Sequence, residues 1–322
     1  MLSRFAVKVP VLPSLRPLST VSIVEVGPRD GLQNEPRPVP LQTKLSFIEG
    51  LAEAGLRRVE ATAFVSPKWV PQMSDSREVM DGIRGMDGSV EVSVLAPNAK
   101  GLEGALESGR VDAVAVFGAA SEAFSRKNIN CSIEESVGRF SAVARGALEA
   151  GLKVRGYVSC VAGCPYEGEV DPRQVVKVWR MLKDLGCYEV SLGDTVGVGT
   201  PREVGRVLEA LKAEGAEMGE LAGHFHDTYG MAVSNVVCSM DHGVFTFDSS
   251  AAGLGGCPYA AGASGNLATE DLLYLCEGMG LETGVDFGKV VEASKGALEA
   301  VGIENRSKAA RAWIAKREKE ME

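Results

Sequence analysis

From residue 21 onward, short runs rich in β-branched residues alternate with longer stretches whose apolar residues fall at helical spacing. The short runs are Val21–Val26, Arg57–Ala61, Val90–Leu95, Asp112–Phe117, Val154–Cys160, Tyr188–Leu192, Leu221–His226 and Val244–Ala251. Each is short, apolar and bounded by turn residues, as strands of a buried parallel sheet are. In the first helical stretch Leu41, Leu45, Ile48 and Leu51 form one apolar face. Two later stretches carry start signals: Ser132-Ile133-Glu134-Glu135 and Thr200-Pro201-Arg202-Glu203 both read as capping boxes. The second also places proline at the first helical position, where its missing N–H is no loss.

Eight such βα units in a row predict an α/β fold with a parallel sheet, closed into a (β/α)8 TIM barrel. A doubly wound sheet would alternate in the same way, but it usually carries a glycine fingerprint after its first strand. Here that turn reads Gly27-Pro28-Arg29-Asp30-Gly31 instead. The chain has 322 residues, room for a barrel of about 250 residues and little more. The expected divisions are a leader over residues 1–20, a catalytic barrel over 21–302 and a charged tail over 303–322. Within the last two, residues 286–301 read as one extra helix and 305–322 as a mobile, charge-rich end.

Composition narrows the class. A formal net charge of −9 disfavours a general nucleic-acid binder, and no apolar run approaches the ~20 residues of a membrane span. Hydrophobic residues make up 45% of the chain and charged residues 24%, enough to bury a large core. The seven cysteines are odd in number and include no C-x-x-C pair, so neither a disulfide framework nor a zinc ribbon is indicated. The first 20 residues hold Arg4, Lys8 and Arg16, four hydroxyl residues and no acid, the composition of a mitochondrial transit peptide.

Catalytic groups of such a barrel lie on the loops that follow the strands. Three candidate segments do. His224-Phe225-His226-Asp227 ends the seventh strand and contains two of only three histidines. Residues two apart on a strand share a face, so both imidazoles are expected to point inward as a metal-binding pair. Gly27–Glu35 follows the first strand; in it Asp30 can supply a hard oxygen ligand and Arg29 can neutralise charge on a substrate oxygen. After the eighth strand, Gly253–Asn266 holds five glycines around Cys257, the pattern of a mobile loop with a reactive thiol. Asn266 can offer an amide oxygen. Asp30, His224, His226 and Asn266 form a thiolate-free set that suits octahedral Mg²⁺ or Mn²⁺ better than a structural zinc. Glu60 and Asp194 end strands two and six as candidate bases or partners, and Arg155, on strand five, needs a buried carboxylate if it points inward.

These segments resemble the 3-hydroxy-3-methylglutaryl-CoA lyase family over residues 21–302. The resemblance rests on Val26–Glu35, on Phe64-Val65-Ser66-Pro67-Lys68-Trp69-Val70-Pro71-Gln72-Met73, on His224–Gly230 and on the Gly253–Asn266 loop. It implies cleavage of 3-hydroxy-3-methylglutaryl-CoA to acetyl-CoA and acetoacetate, in ketone-body formation and leucine breakdown. It further implies Asp30, His224, His226 and Asn266 as metal ligands, and Arg29 as the group that stabilises the acetyl-CoA enolate. Cys257 would transfer a proton and His224 would share in acid–base work. Glu60 and Asp194 would support catalysis, with Gln33 and Arg155 on the substrate side. An acyl-CoA substrate and a homodimer follow from the same resemblance. Two positions depart from the family pattern: Ala63 stands where Ser is usual and Ala261 where Gln is usual. The alternatives are an acyl-CoA condensing synthase or aldolase of the same superfamily, against which the loop cysteine argues, and a non-catalytic binding relative, against which the complete ligand set argues.

Overall fold

A computed structural model describes residues 20–256 and 265–321. Cys257, Ala261 and all but the last residue of the basic leader lie outside the described residues. Eight strands appear where the alternation places them: β1 (Ser22–Glu25), β2 (Arg58–Ala63), β3 (Glu91–Leu95), β4 (Ala113–Ala119), β5 (Lys153–Ser159), β6 (Glu189–Asp194), β7 (Leu221–Phe225) and β8 (Thr246–Ser249). Each pairs in parallel with the next, and β8 pairs with β1, closing the barrel in sequence order.

Strand ends differ from the sequence expectation where pairing decides them. β2 runs through Ala63 because a register shift between Glu60 and Thr62 lets it stay paired with β3. β4 includes Gly118 and Ala119, which face Val158 and Ser159 of β5. β7 stops at Phe225, and His226 leaves the sheet to bridge with Asn266.

The helices that cover the barrel are α1 (Leu41–Glu53), α2 (Ser76–Gly82), α3 (Ala99–Ser108), α4 (Glu122–Ile129), α5 (Ile133–Glu149), α6 (Pro172–Asp184), α7 (Pro201–Ala213), α8 (Ala232–Asp241) and α9 (Thr269–Gly278). Both capping boxes form, at Ser132 and Thr200. The apolar core lies between sheet and helices. Val59, Val92, Val114, Val158, Val190 and Phe247 are all buried there, and the valine content is what makes these segments strands.

Two more helices complete the chain, α10 (Phe287–Val301) and α11 (Lys308–Met321). The stretch read as a mobile end is therefore helical and anchored. Ser307 Oγ donates to Asp271 at 2.8 Å, Lys308 Nζ donates to Asp227 at 2.9 Å, and the Trp313 and Phe287 rings lie 5.8 Å apart. Its many charges made it look like a solvated tail. Of those charges Lys308 is an anchor, and it ties the start of the helix to Asp227 just after β7.

Candidate active site

The barrel interior is polar where most barrels are filled with Val, Ile and Leu. On β5, Arg155 and Tyr157 are two apart and both point inward. Glu60 of β2, Ser191 of β6, His224 of β7 and Asp248 of β8 join them, all buried. The segment after β1 makes a single π-helical turn, Gly27–Gly31, which carries Arg29 and Asp30 over this interior. Such turns are rare and often mark functional sites. Glu25 anchors the turn by accepting from the Gly27 N–H at 2.8 Å.

At the rim, Asp30, His224 and His226 each bring one ligand atom within 4.8 Å of the others. The Nδ1 atom of His226 is buried without a hydrogen-bond partner among the described residues. An orphaned buried imidazole nitrogen beside a carboxylate and a second imidazole is the donor set a divalent cation completes, so these residues fit the expected metal. Burial, then its neighbour His224, hold His226 down to about 4, leaving it a neutral imidazole at ordinary pH. Burial opposes ionisation of Asp30, but Arg29, the two histidines and Asn266 outweigh it and hold the carboxyl at about 2.

Asn266 reaches the cluster through its amide nitrogen, which donates to Asp30 Oδ2 at 2.9 Å and to the Leu254 carbonyl at 3.2 Å. A half-turn of the amide would present the oxygen instead. The two ends of the glycine-rich loop meet here. Gly265 has φ of +92°, and a Cβ on it would fall 2.2 Å from the Gly255 carbonyl oxygen, so only glycine allows this closure.

Arg29 lies beside the cluster. Its Nη1 donates to Asp30 Oδ1 at 2.6 Å, its Nε to Glu60 Oε1 at 2.7 Å, and its guanidinium sits 5.6 Å from the Tyr157 ring centre. Burial works against its charge, and Glu60 and Asp30 more than restore it. Tyr157 in turn donates to Glu60 Oε2 and accepts from Arg155 Nη1. Arg155 continues to Asp248, and Asp248 to His224, whose Nε2 is 3.9 Å from Asp30 Oδ2. The charged groups thus form one closed circuit under the rim.

The expected residues divide accordingly. Asp30, His224, His226, Asn266, Arg29 and Glu60 come together. Arg155 does not reach the open face: it is 1% exposed, and its guanidinium is taken up by Glu189, Asp248 and Tyr157. A charge this deep must be paired, and Glu189 and Asp248 pair it at 2.7 Å each. Asp194 is also set apart, accepting from the Val198 and Gly199 backbone N–H groups at 3.2 and 2.9 Å. Burial raises it to about 6 against the pull of those N–H groups. Gln33 keeps a buried Oε1 with no hydrogen-bond partner among the described residues. Ala63 is fully buried, while its neighbour Thr62 keeps a hydroxyl contact with Ser76 at 3.2 Å. Two members of the circuit escaped the sequence reading, Tyr157 and Asp248. Tyr157 was signalled by its position two residues after Arg155 on one strand.

Fold and donor set define a (β/α)8 barrel enzyme with a candidate metal site at its rim. The HMGL-like family model matches residues 20–296, and the chain belongs to that family. A 3-hydroxy-3-isohexenylglutaryl-CoA/hydroxymethylglutaryl-CoA lyase of Pseudomonas aeruginosa is 55% identical over 296 residues, 92% of this chain and 98% of its own length. The mitochondrial hydroxymethylglutaryl-CoA lyase of Bos taurus is 54% identical, over 91% of this chain and 89% of its own. An HMG-CoA lyase from Acinetobacter baumannii, solved in complex with coenzyme A and 3-methylmalate, superposes with a TM-score of 0.85 at 33% identity, covering 91% of this chain and 95% of that one.

Proposed function

We propose that this chain is a hydroxymethylglutaryl-CoA lyase, cleaving 3-hydroxy-3-methylglutaryl-CoA to acetyl-CoA and acetoacetate. The observation that carries the reading is the placement of Arg29 against the Asp30, His224 and His226 cluster at the rim of the barrel. The reaction removes the proton of the C3 hydroxyl and breaks the C2–C3 bond. C3 becomes the ketone of acetoacetate, and the bonding pair becomes a thioester enolate that takes a proton at C2. A divalent cation, Mg²⁺ or Mn²⁺ by the hardness of its donors, supplies Lewis acidity at the hydroxyl and carboxylate oxygens when bound.

The chain's own residues supply the rest. Arg29, fixed by two carboxylates, presents positive charge to the enolate oxygen without reorganising. Glu60 holds Arg29, and Tyr157 holds Glu60. Gln33 offers its open amide to the substrate. Asp248 and Asp30 raise the proton affinity of His224 against the effect of its burial, which suits it to share in proton transfer when Nε2 is not ligated. Cys257 returns the proton to C2, and Asp194 shapes the loop after β6.

A coupled assay for acetoacetate release tests the reading. Release from 3-hydroxy-3-methylglutaryl-CoA is expected. No release, with condensation of acetyl-CoA onto an oxo acid in its place, identifies a synthase.

For Cys257 the expected result is inactivation by a thiol alkylator and protection by a substrate analogue. Cys257→Ser should lower kcat by ~10²-fold or more with metal binding intact. Burial pushes the Cys187 thiol up to about 12 and the Cys276 thiol up to about 11, so both should react slowly. Half-buried Cys238 is the competitor to watch. Inactivation that tracks Cys238 in peptide mapping removes Cys257 from the mechanism.

Residues 1–20 are read as a mitochondrial address, which would place the activity in the matrix, in ketone-body formation and leucine breakdown. A reporter carrying residues 1–25 should be imported, and cytosolic retention refutes the address. The homodimer is tested by light scattering, where the mass of a single chain would overturn it.

A further inference from the structure

Beneath the donor cluster lies a carboxylate that the reading above uses only for its charge, Asp248 on β8. In the pairing of β7 with β8, Asp248 stands opposite His224. Opposed residues of neighbouring parallel strands point to the same side of the sheet, so both enter the barrel interior at one level. Asp248 is 2% exposed. Its Oδ1 accepts from Arg155 Nη2 at 2.7 Å. Its Oδ2 accepts from Ser191 Oγ at 2.8 Å and from Arg155 Nη1 at 3.2 Å. The same Oδ2 lies 3.1 Å from Nδ1 of His224.

A carboxylate forked by a guanidinium and capped by a hydroxyl is an acceptor only. The imidazole atom facing it must therefore be an N–H. A neutral imidazole carries one proton, so Nε2 is left with its lone pair. That atom faces the rim, 3.9 Å from Asp30 Oδ2. Tyr157 packs edge-on against the His224 ring, with centroids 5.9 Å apart at 84°, and restricts its rotation from the other side.

We propose that Asp248 is a positioning residue: it holds His224 as the Nδ1–H tautomer and so makes Nε2 the atom that ligates the divalent cation. The inference rests on the reading of His224 as a ligand. Arg155 and Ser191 serve it by keeping Asp248 in place and fully occupied. A carboxylate behind a ligating histidine fixes ring orientation and strengthens the ligand, and losing one typically costs 10- to 100-fold in affinity or activity.

The wild-type chain can be tested directly, because it contains only three histidines. Long-range ¹H–¹⁵N NMR of histidine-labelled protein reports the tautomer of each ring, with His226→Gln and His242→Gln assigning the signals. The expected result for His224 is the Nδ1–H pattern without metal and a shift of its Nε2 signal on adding Mg²⁺. An Nε2–H pattern overturns the proposal whatever the metal does. An Nδ1–H pattern with no response of either rim histidine to Mg²⁺ at any concentration overturns the ligand reading on which it rests, and is distinguishable for that reason. Asp248→Asn gives the second readout, Mn²⁺ affinity measured from the free-ion signal in electron paramagnetic resonance. A loss of roughly 10- to 100-fold is expected, with the control Asp81→Asn, on the exposed side of α2, changing it by less than about threefold. Unchanged Mn²⁺ affinity in folded Asp248→Asn overturns the positioning role.

Discussion

Stripping the divalent cation is expected to abolish cleavage, and returning Mg²⁺ or Mn²⁺ to restore it. The cluster of Asp30, His224 and His226 brings two imidazoles and an anionic carboxylate within 4.8 Å, with Arg29 paired to Asp30 at its side. Burial keeps His226 neutral, and its Nδ1 has no partner among the described residues. In the absence of an ion, that nitrogen is a buried polar atom whose need is unmet among the described residues, which is costly. The ion's Lewis acidity is worth several kcal/mol at the developing oxygen charge, so its removal should cost roughly 10³-fold or more in rate. Dialysis against a chelator, with metal content followed by mass spectrometry, makes the measurement. His226→Ala should weaken metal binding while leaving the fold intact, because the described structure gives Nδ1 no hydrogen bond to lose. Full activity in protein confirmed free of metal would defeat the assignment.

The barrel was legible because its signal is periodic and local. Eight β-branched runs separated by amphipathic stretches leave few other architectures, and each run needed only its own residues to be recognised. The rim residues were legible for a related reason. His224 and His226 are two apart at a strand end, and Arg29 and Asp30 sit together after the first strand, so their convergence follows once closure is assumed. What stayed hidden depends on register between strands far apart in sequence. Asp248 looked like one acid in a late strand until its pairing put it opposite His224. An inward Arg155 calls for a buried carboxylate, and only the family resemblance set it on the substrate side; which carboxylates pair with it could not be read from the chain. Its partners Glu189 and Asp248 come from β6 and β8, and no spacing within β5 announces them. A helical C-terminal region fits the charge-rich tail read as a solvated helix face; its anchors, Asp271 and Asp227, stayed hidden because they too lie far back in the chain.

Replacing Arg29 by glutamine is expected to lower kcat by ~10²- to 10³-fold while KM changes by less than about threefold. The argument starts from how the guanidinium is held. Nε and Nη1 are engaged by Glu60 and Asp30, and the Tyr157 ring lies under the plane. Nη2 has no described hydrogen bond, so it remains the donor for a thioester oxygen as negative charge develops there. The ground-state carbonyl carries little charge and gains little from this donor; the enolate-like transition state gains much. Loss of the donor therefore falls on kcat. Because the guanidinium stays charged at every accessible pH, the ratio of wild-type to variant kcat should be flat from about pH 6 to pH 9. A titrating group in the same role would make that ratio change with pH. Glutamine preserves a hydrogen bond to Glu60, and the Tyr157 hydroxyl still donates to that carboxylate, so the variant should fold and bind metal. Steady-state kinetics with a circular-dichroism control decide the matter. A large rise in KM with unchanged kcat would show that Arg29 binds the substrate in its ground state and does not stabilise the enolate.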